Sequence, residues 1–179
     1  MHKLSTTYLT TLFVSIFFLT SSTLFGQQEQ IKWLTWEEAI ALSKNQQKMF
    51  FVDIYTDWCG WCKRMDKNTL QEPGIVSFIN ENYYPIRFNA EYKNPIELKD
   101  KIYNYVKNGK RGYHELAAMI TYGRLSFPTV VFLDEDMNVI QPICGYQDPK
   151  NFKMIMRYFA EGFYKTTPWD AYQINYQKN

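Results

Sequence analysis

Apolar residues in this chain gather into bounded runs separated by polar punctuation, and the spacing within each run assigns most elements. Thr35-Trp36-Glu37-Glu38 has the form of a capping box and opens an amphipathic helix through Ala39, Ile40, Ala41 and Leu42, which Lys44 to Lys48 ends. Met49-Phe50-Phe51-Val52-Asp53-Ile54-Tyr55 is rich in aromatic and β-branched residues and reads as a strand. Thr56-Asp57-Trp58 turns the chain, and a helix is predicted from Cys59 to about Leu70, stopping before Pro73-Gly74. A short helix over Ile75–Asn80 then precedes a strand at Tyr84–Phe88.

Asn94-Pro95-Ile96-Glu97 carries a helix-start signature, Asn as cap and Pro in the first position, and predicts a helix to about Val106 that ends at Asn108-Gly109. A further helical stretch is expected over His114–Tyr122. Val130–Leu133 and Val139–Ile143, joined by Asp134 to Asn138, read as a hairpin at one sheet edge. Asp148-Pro149 caps a closing helix in which Phe152, Ile155, Met156 and Phe159 follow helical spacing. From about residue 164 the tail is expected to add a short surface helix or to fray.

Composition narrows the function classes. A chain of 179 residues with 46% hydrophobic content is long enough for one domain with a proper core. A net charge of +2 without a dense basic cluster gives no reason to invoke nucleic acid. The N-terminus reads as an export signal: Lys3 is positive, Leu12 to Leu19 is apolar, and Gly26 precedes the polar run Gln27-Gln28-Glu29-Gln30. Cleavage near Gly26 is expected, leaving 27–179 as a single domain, although Leu24 fits the small-residue rule poorly. The alternative is an uncleaved membrane anchor. Both place the domain outside the cytosol, in the periplasm or cell envelope, and no cysteine follows the apolar run to make a lipoprotein.

Candidate chemistry centres on Cys59-Gly60-Trp61-Cys62 at a strand–helix junction. A cysteine at a helix start meets unpaired backbone N–H groups and the positive end of the helix dipole, which stabilise a thiolate. A second cysteine one turn on is placed to attack a mixed disulfide formed on the first. Two-residue spacing also suits zinc, but a structural site needs four ligands, and only Cys144, His114 and His2 remain, none paired at ligand spacing. No metal and no cofactor is therefore expected. A static disulfide stays open as the bland alternative.

The segment Phe51-Val52-Asp53-Ile54-Tyr55-Thr56-Asp57-Trp58-Cys59-Gly60-Trp61-Cys62-Lys63 resembles the active-site segment of the thioredoxin superfamily. Ser126-Phe127-Pro128-Thr129-Val130-Val131, about 65 residues on, resembles that family's cis-proline loop running into a strand. The resemblance covers about Thr35 to Phe163, is nearest to exported thioredoxin-like proteins with a CGWC-type site, and departs from the shortest members over Tyr92–Gly112. It implies an α/β, three-layer α/β/α thioredoxin fold with a central mixed sheet.

It also implies roles. Cys59 is the nucleophile and the more exposed thiol, and Cys62 the buried resolving thiol. Asp53 is a buried carboxylate able to exchange a proton with the resolving thiol. On this face of the strand it alternates with Met49, Phe51 and Tyr55, so it is shielded from water if the face is covered. Arg87 takes the place of a lysine that many thioredoxins carry near this carboxylate, although a solvated arginine fits the sequence as well. Pro128 packs in cis against the thiols, and the Phe127 backbone pairs with substrate. Trp58, Gly60 and Trp61 frame the client site. Cys144 is expected as a buried small hydrophobe, Lys63, Arg64 and Lys67 as a solvated helix face, and His114 as surface or core.

The implied activity is thiol–disulfide exchange on client proteins outside the cytosol, in the reducing direction, with electrons from a membrane thiol donor. An oxidase or isomerase would use the same residues in reverse. A client-binding module with an idle disulfide would not need an activated Cys59.

Overall fold

The computed structural model describes residues 29–178. The N-terminal stretch read as an export signal lies outside the described residues. Four strands form a mixed central sheet: β1 (Met49–Tyr55), β2 (Tyr83–Asn89), β7 (Thr129–Leu133) and β8 (Val139–Cys144), ordered β2-β1-β7-β8. β1 runs parallel to β2, with Asp53 opposite Arg87, while β7 is antiparallel to β1 and places Val130 opposite Asp53. β8 closes the antiparallel side as an edge strand, with Cys144 opposite Thr129.

Strand alternation divides the core into two clusters, one on each face of the sheet. Met49, Phe51, Val130 and Phe132 pack toward α2 (Gly60–Asn68), α3 (Pro73–Asn82) and α5 (Pro149–Ala160), meeting Met65, Ile75, Ile79 and Phe152. Phe50, Val52, Ile54, Val131 and Leu133 face α1 (Trp36–Ser43) and α4 (Glu115–Ile120), meeting Trp36, Ala39, Leu116 and Ile120. This is the expected three-layer α/β/α arrangement, and it puts Asp53 on the α2 side. The capping box at Thr35 and the Asp148 cap form as expected; the Asp148 carboxylate accepts from the Lys150 and Asn151 backbone N–H groups.

The structure corrects the helix expected from Asn94 to Val106. That segment forms β3 (Ile96–Leu98), β4 (Lys101–Tyr103) and β5 (Tyr105–Asn108), and β6 (Arg111–His114) follows; β3 pairs with β4 and β5 with β6. Lys99 and Asp100 both take positive φ, 51° and 59°, as the two-residue turn of a right-twisted hairpin requires. Gly109, at φ 62°, opens the second two-residue turn. Ile96, Leu98 and Tyr103 are buried and Glu97 exposed, so tertiary burial of an alternating pattern overrides the local cap signature.

Of the two outcomes expected for the tail, the described residues form the short helix. α6 (Trp169–Tyr176) buries Tyr172 against Tyr158, with ring centroids 4.9 Å apart, and Trp169 meets Tyr158 at 5.0 Å. Among the described residues no helix is long and apolar enough to cross a membrane.

Candidate active site

β1 delivers Thr56, whose carbonyl accepts from the Cys59 N–H at 3.0 Å, and this turn aims Cys59 at the start of α2. Cys59 is the N-cap: its φ of −77° and ψ of 102° are extended, and its Sγ accepts from the Cys62 backbone N–H at 3.0 Å. The same N–H would face a Cys59 thiolate once the bridge is reduced. No acidic residue occupies the first turn of α2, so the positive end of the helix dipole is left unopposed. Cys59 and Cys62 are joined in a disulfide with Cα atoms 5.3 Å apart. Cys59 is the more exposed of the two, as expected, but only narrowly: the residues are 5% and 3% exposed, so both are buried in the oxidised form.

Asp53 is 2% exposed. Burial raises its pKa from an ordinary 3.8 to about 7, an effect that Arg87 opposes and Asp66 reinforces. Arg87 gives the carboxylate only partial relief. Its guanidinium donates two hydrogen bonds to Asp66, at 2.9 and 2.6 Å, and stands 3.8 Å from Asp53, beyond hydrogen-bond reach. Arg87 is thus half-buried and engaged, lying also against the rings of Trp33 and Tyr55. Asp66 was missed in the sequence, although its i, i+4 spacing from Cys62 places both on one side of α2.

The Phe127–Pro128 peptide is cis, as the resemblance implied, and the Pro128 carbonyl accepts from the Gly145 N–H at 2.8 Å. This bond ties the loop to the end of β8. Trp58 and Trp61 are half exposed, at 50% and 53%, and each meets a ring from the neighbouring loops. Trp58 stands edge-on to Phe127 with centroids 5.9 Å apart, and Trp61 lies 5.6 Å from Tyr146. Gly60, exposed between them, leaves open space: a Cβ there would meet nothing within 4 Å. Tyr146 was not anticipated, although it directly follows the glycine bonded to Pro128.

Other expectations divide. Cys144 is exposed and not buried, because it ends the edge strand where no element covers it. Arg64 is exposed, but it is not a plain solvated charge, since it lies over Trp61 and Tyr146. His114 belongs to the core. Its Nδ1 accepts from the Leu116 N–H at the start of α4, so Nε2 carries the proton and donates to the Asn94 carbonyl, and burial lowers its pKa. Among the described residues no cluster of three or more His, Cys, Asp or Glu is arranged to hold a metal ion.

A family model described as a thioredoxin-like domain matches residues 36–160. An uncharacterised protein of Archaeoglobus fulgidus is 33% identical over 82 residues, 45% of this chain and 65% of that one. The thiol:disulfide interchange protein DsbD of Haemophilus influenzae is 26% identical over 113 residues, 62% of this chain but 16% of that longer protein. The chain therefore spans less than two thirds of the length of each. Among solved structures, a thioredoxin-fold protein from Helicobacter pylori superposes with a TM-score of 0.56 at 20% identity, covering 74% of this chain and 81% of that one. The DsbH oxidoreductase gives 0.53 at 21%, covering 74% and 85%. These likenesses show the fold. With the family match spanning most of the chain and a strand–CGWC–helix unit facing a cis-proline loop, the protein belongs to the thioredoxin-like domain family.

Proposed function

We propose that the protein is a thiol–disulfide oxidoreductase that reduces client disulfides outside the cytosol. The observation that carries this reading is the Cys59–Cys62 pair at an unopposed helix N-terminus on the sheet face that also holds the buried Asp53. In the reduced protein the Cys59 thiolate attacks one sulfur of the client disulfide. A Cys59–client bond forms, and the other client sulfur leaves as a thiolate and takes a proton from solvent. Cys62 then gives its proton to the Asp53 carboxylate and attacks the Cys59 sulfur. The Cys59–Cys62 bond forms, and the second client thiolate leaves and is protonated in turn. The client gains two electrons and two protons, and a thiol donor returns the protein to its reduced state.

A pKa of about 7 suits Asp53 to this task, because the group is neither locked as an acid nor fixed as an anion near neutrality. Pro128 presents the Phe127 backbone beside the thiols, and Trp58, Gly60 and Trp61 form the surface an extended client would cross. Export is supported by the apolar stretch at Leu12–Leu19 behind Lys3. The likeness to a thiol:disulfide interchange protein supports disulfide exchange as the chemistry, and a membrane thiol donor is the electron source we assign to it.

The test is turnover of a protein disulfide with dithiothreitol as reductant. The wild-type protein should accelerate insulin reduction well above the dithiothreitol background, and Cys59→Ser should abolish the acceleration. A reduced wild-type protein that adds nothing to the background would overturn the reading in favour of a client-binding module.

A further inference from the structure

Two guanidinium groups lie against the tryptophans that bracket the disulfide. The Arg64 Cζ is 5.0 Å from the Trp61 ring centroid and 5.7 Å from that of Tyr146. The Arg111 Cζ is 4.2 Å from the Trp58 ring centroid. A guanidinium laid on an aromatic face keeps its N–H edge free and is already ordered, so little further entropy is lost when it meets an anion. Among the described residues neither arginine pairs with a carboxylate, whereas Arg87 and Arg157 both do. The two free forks stand at the proposed reaction centre.

Arg111 reaches the site on the β5–β6 hairpin, the segment where the sequence departs from the shortest thioredoxins. With Trp58, Asn108, Leu125 and Phe127 it lines a cleft of about 210 Å³ beside the cis-proline loop. Lys107 and Lys110 are exposed on the same hairpin, and Lys63 is exposed next to Arg64. Two carboxylates stand among these cations. Glu91 lines the same cleft, and Asp57 is exposed and accepts from the Asn89 side chain at 3.3 Å. Two unpaired guanidinium groups and these two carboxylates share the rim, and the apolar rings supply its floor.

We infer that Arg64 and Arg111 select clients whose reactive cysteine lies in an extended segment carrying carboxylates near it. This rests on the oxidoreductase reading and names the client chemistry of the same site. The carboxylates meet the guanidinium edges while the segment crosses Trp58, Phe127 and Trp61. Each such contact is solvent-exposed and modest, so the selectivity is a rate preference that salt weakens.

The test uses the full-length reduced protein and three synthetic peptides with one disulfide each, identical except that the neighbours of the cysteine are Glu, Gln or Lys. Each rate constant is divided by that for dithiothreitol, which removes differences in intrinsic reactivity. The Glu peptide should react roughly three- to ten-fold faster than the Gln peptide at low salt, with Lys slowest. The ratio should shrink toward one in half-molar salt and in the double variant Arg64→Gln/Arg111→Gln. Equal normalised rates for the three peptides, or a preference that neither salt nor the double variant reduces, would overturn the inference while leaving the oxidoreductase reading intact. Failure to reduce any peptide would instead remove the oxidoreductase reading and this inference with it. If the double variant does not fold, the salt dependence of the wild-type protein still decides.

Discussion

Asp53→Asn removes the one carboxylate that is buried among the described residues, and its effect on stability can be worked out in sign and size. Below pH 3.8 the carboxyl is protonated in folded and unfolded chains alike. Between 3.8 and about 7 the unfolded chain releases the proton and the folded one keeps it, so stability falls as pH rises and levels off above about 7. At about 1.4 kcal/mol per pH unit, the full loss is on the order of 4 kcal/mol, of which about 3 kcal/mol falls between about pH 5 and about pH 8.5. Asn at this position carries no charge, and Arg87 keeps its two bonds to Asp66. The assay is urea denaturation of the oxidised protein at both pH values. Using the oxidised form removes the Cys62 thiol from the titration. Wild type should lose up to about 3 kcal/mol more than Asp53→Asn on going from the lower to the higher pH. His114, whose pKa burial lowers, destabilises the folded state on the acid side in both proteins and cancels in the comparison. An identical pH dependence in the two proteins would refute the raised pKa, and with it the proton-transfer role assigned to Asp53.

Three further outcomes are expected. Cys62→Ser should accumulate covalent client complexes visible on non-reducing gels, whereas Cys59→Ser should trap few; equal trapping would reverse or void the assigned roles. Gly112→Ala should destabilise the β5–β6 hairpin, because the added Cβ would fall 2.3 Å from the Val106 carbonyl oxygen and from the Tyr105 hydroxyl, and faster amide exchange over Tyr105–His114 would show it. Tyr83→Phe should cost about 1 kcal/mol by chemical denaturation, since the buried hydroxyl donates to the Met156 carbonyl at 2.5 Å and that bond is lost, while the carbonyl keeps its place in the α5 ladder.

Much of this arrangement was legible because its signals are local. The capping box at Thr35, the apolar run Met49–Tyr55 and the Asp148-Pro149 cap each encode an element in a few adjacent residues. Burial of Asp53 followed from alternation once its face was covered. Asn94-Pro95 shows where local signals mislead. The cap signature there favours a helix, but Ile96, Leu98 and Tyr103 are paired by hairpin turns whose Lys99 and Asp100 have positive φ without a glycine to advertise it. Arg111 and Tyr146 reach the site through those hairpins and the β8 edge, so their proximity to Trp58 and Trp61 is a product of tertiary packing. Cys144 reads as buried by residue type, and only its place at the end of an edge strand exposes it. Asp66 is different: its helical spacing from Cys62 was visible, and what the sequence lacked was the reach of Arg87 from the neighbouring strand.

The central claim is that Cys59 and Cys62 cycle between dithiol and disulfide and are not a fixed bridge. Equilibrating the purified protein with glutathione redox buffers, and counting free thiols by alkylation and mass, tests it most directly. A redox-active pair should interconvert reversibly as one two-electron couple, with a midpoint between about −120 and about −270 mV, the span of dedicated disulfide oxidants and thioredoxins. A value toward the lower end would support the reducing direction. A bridge that stays closed until potentials below about −300 mV, the range of structural disulfides, would contradict the account.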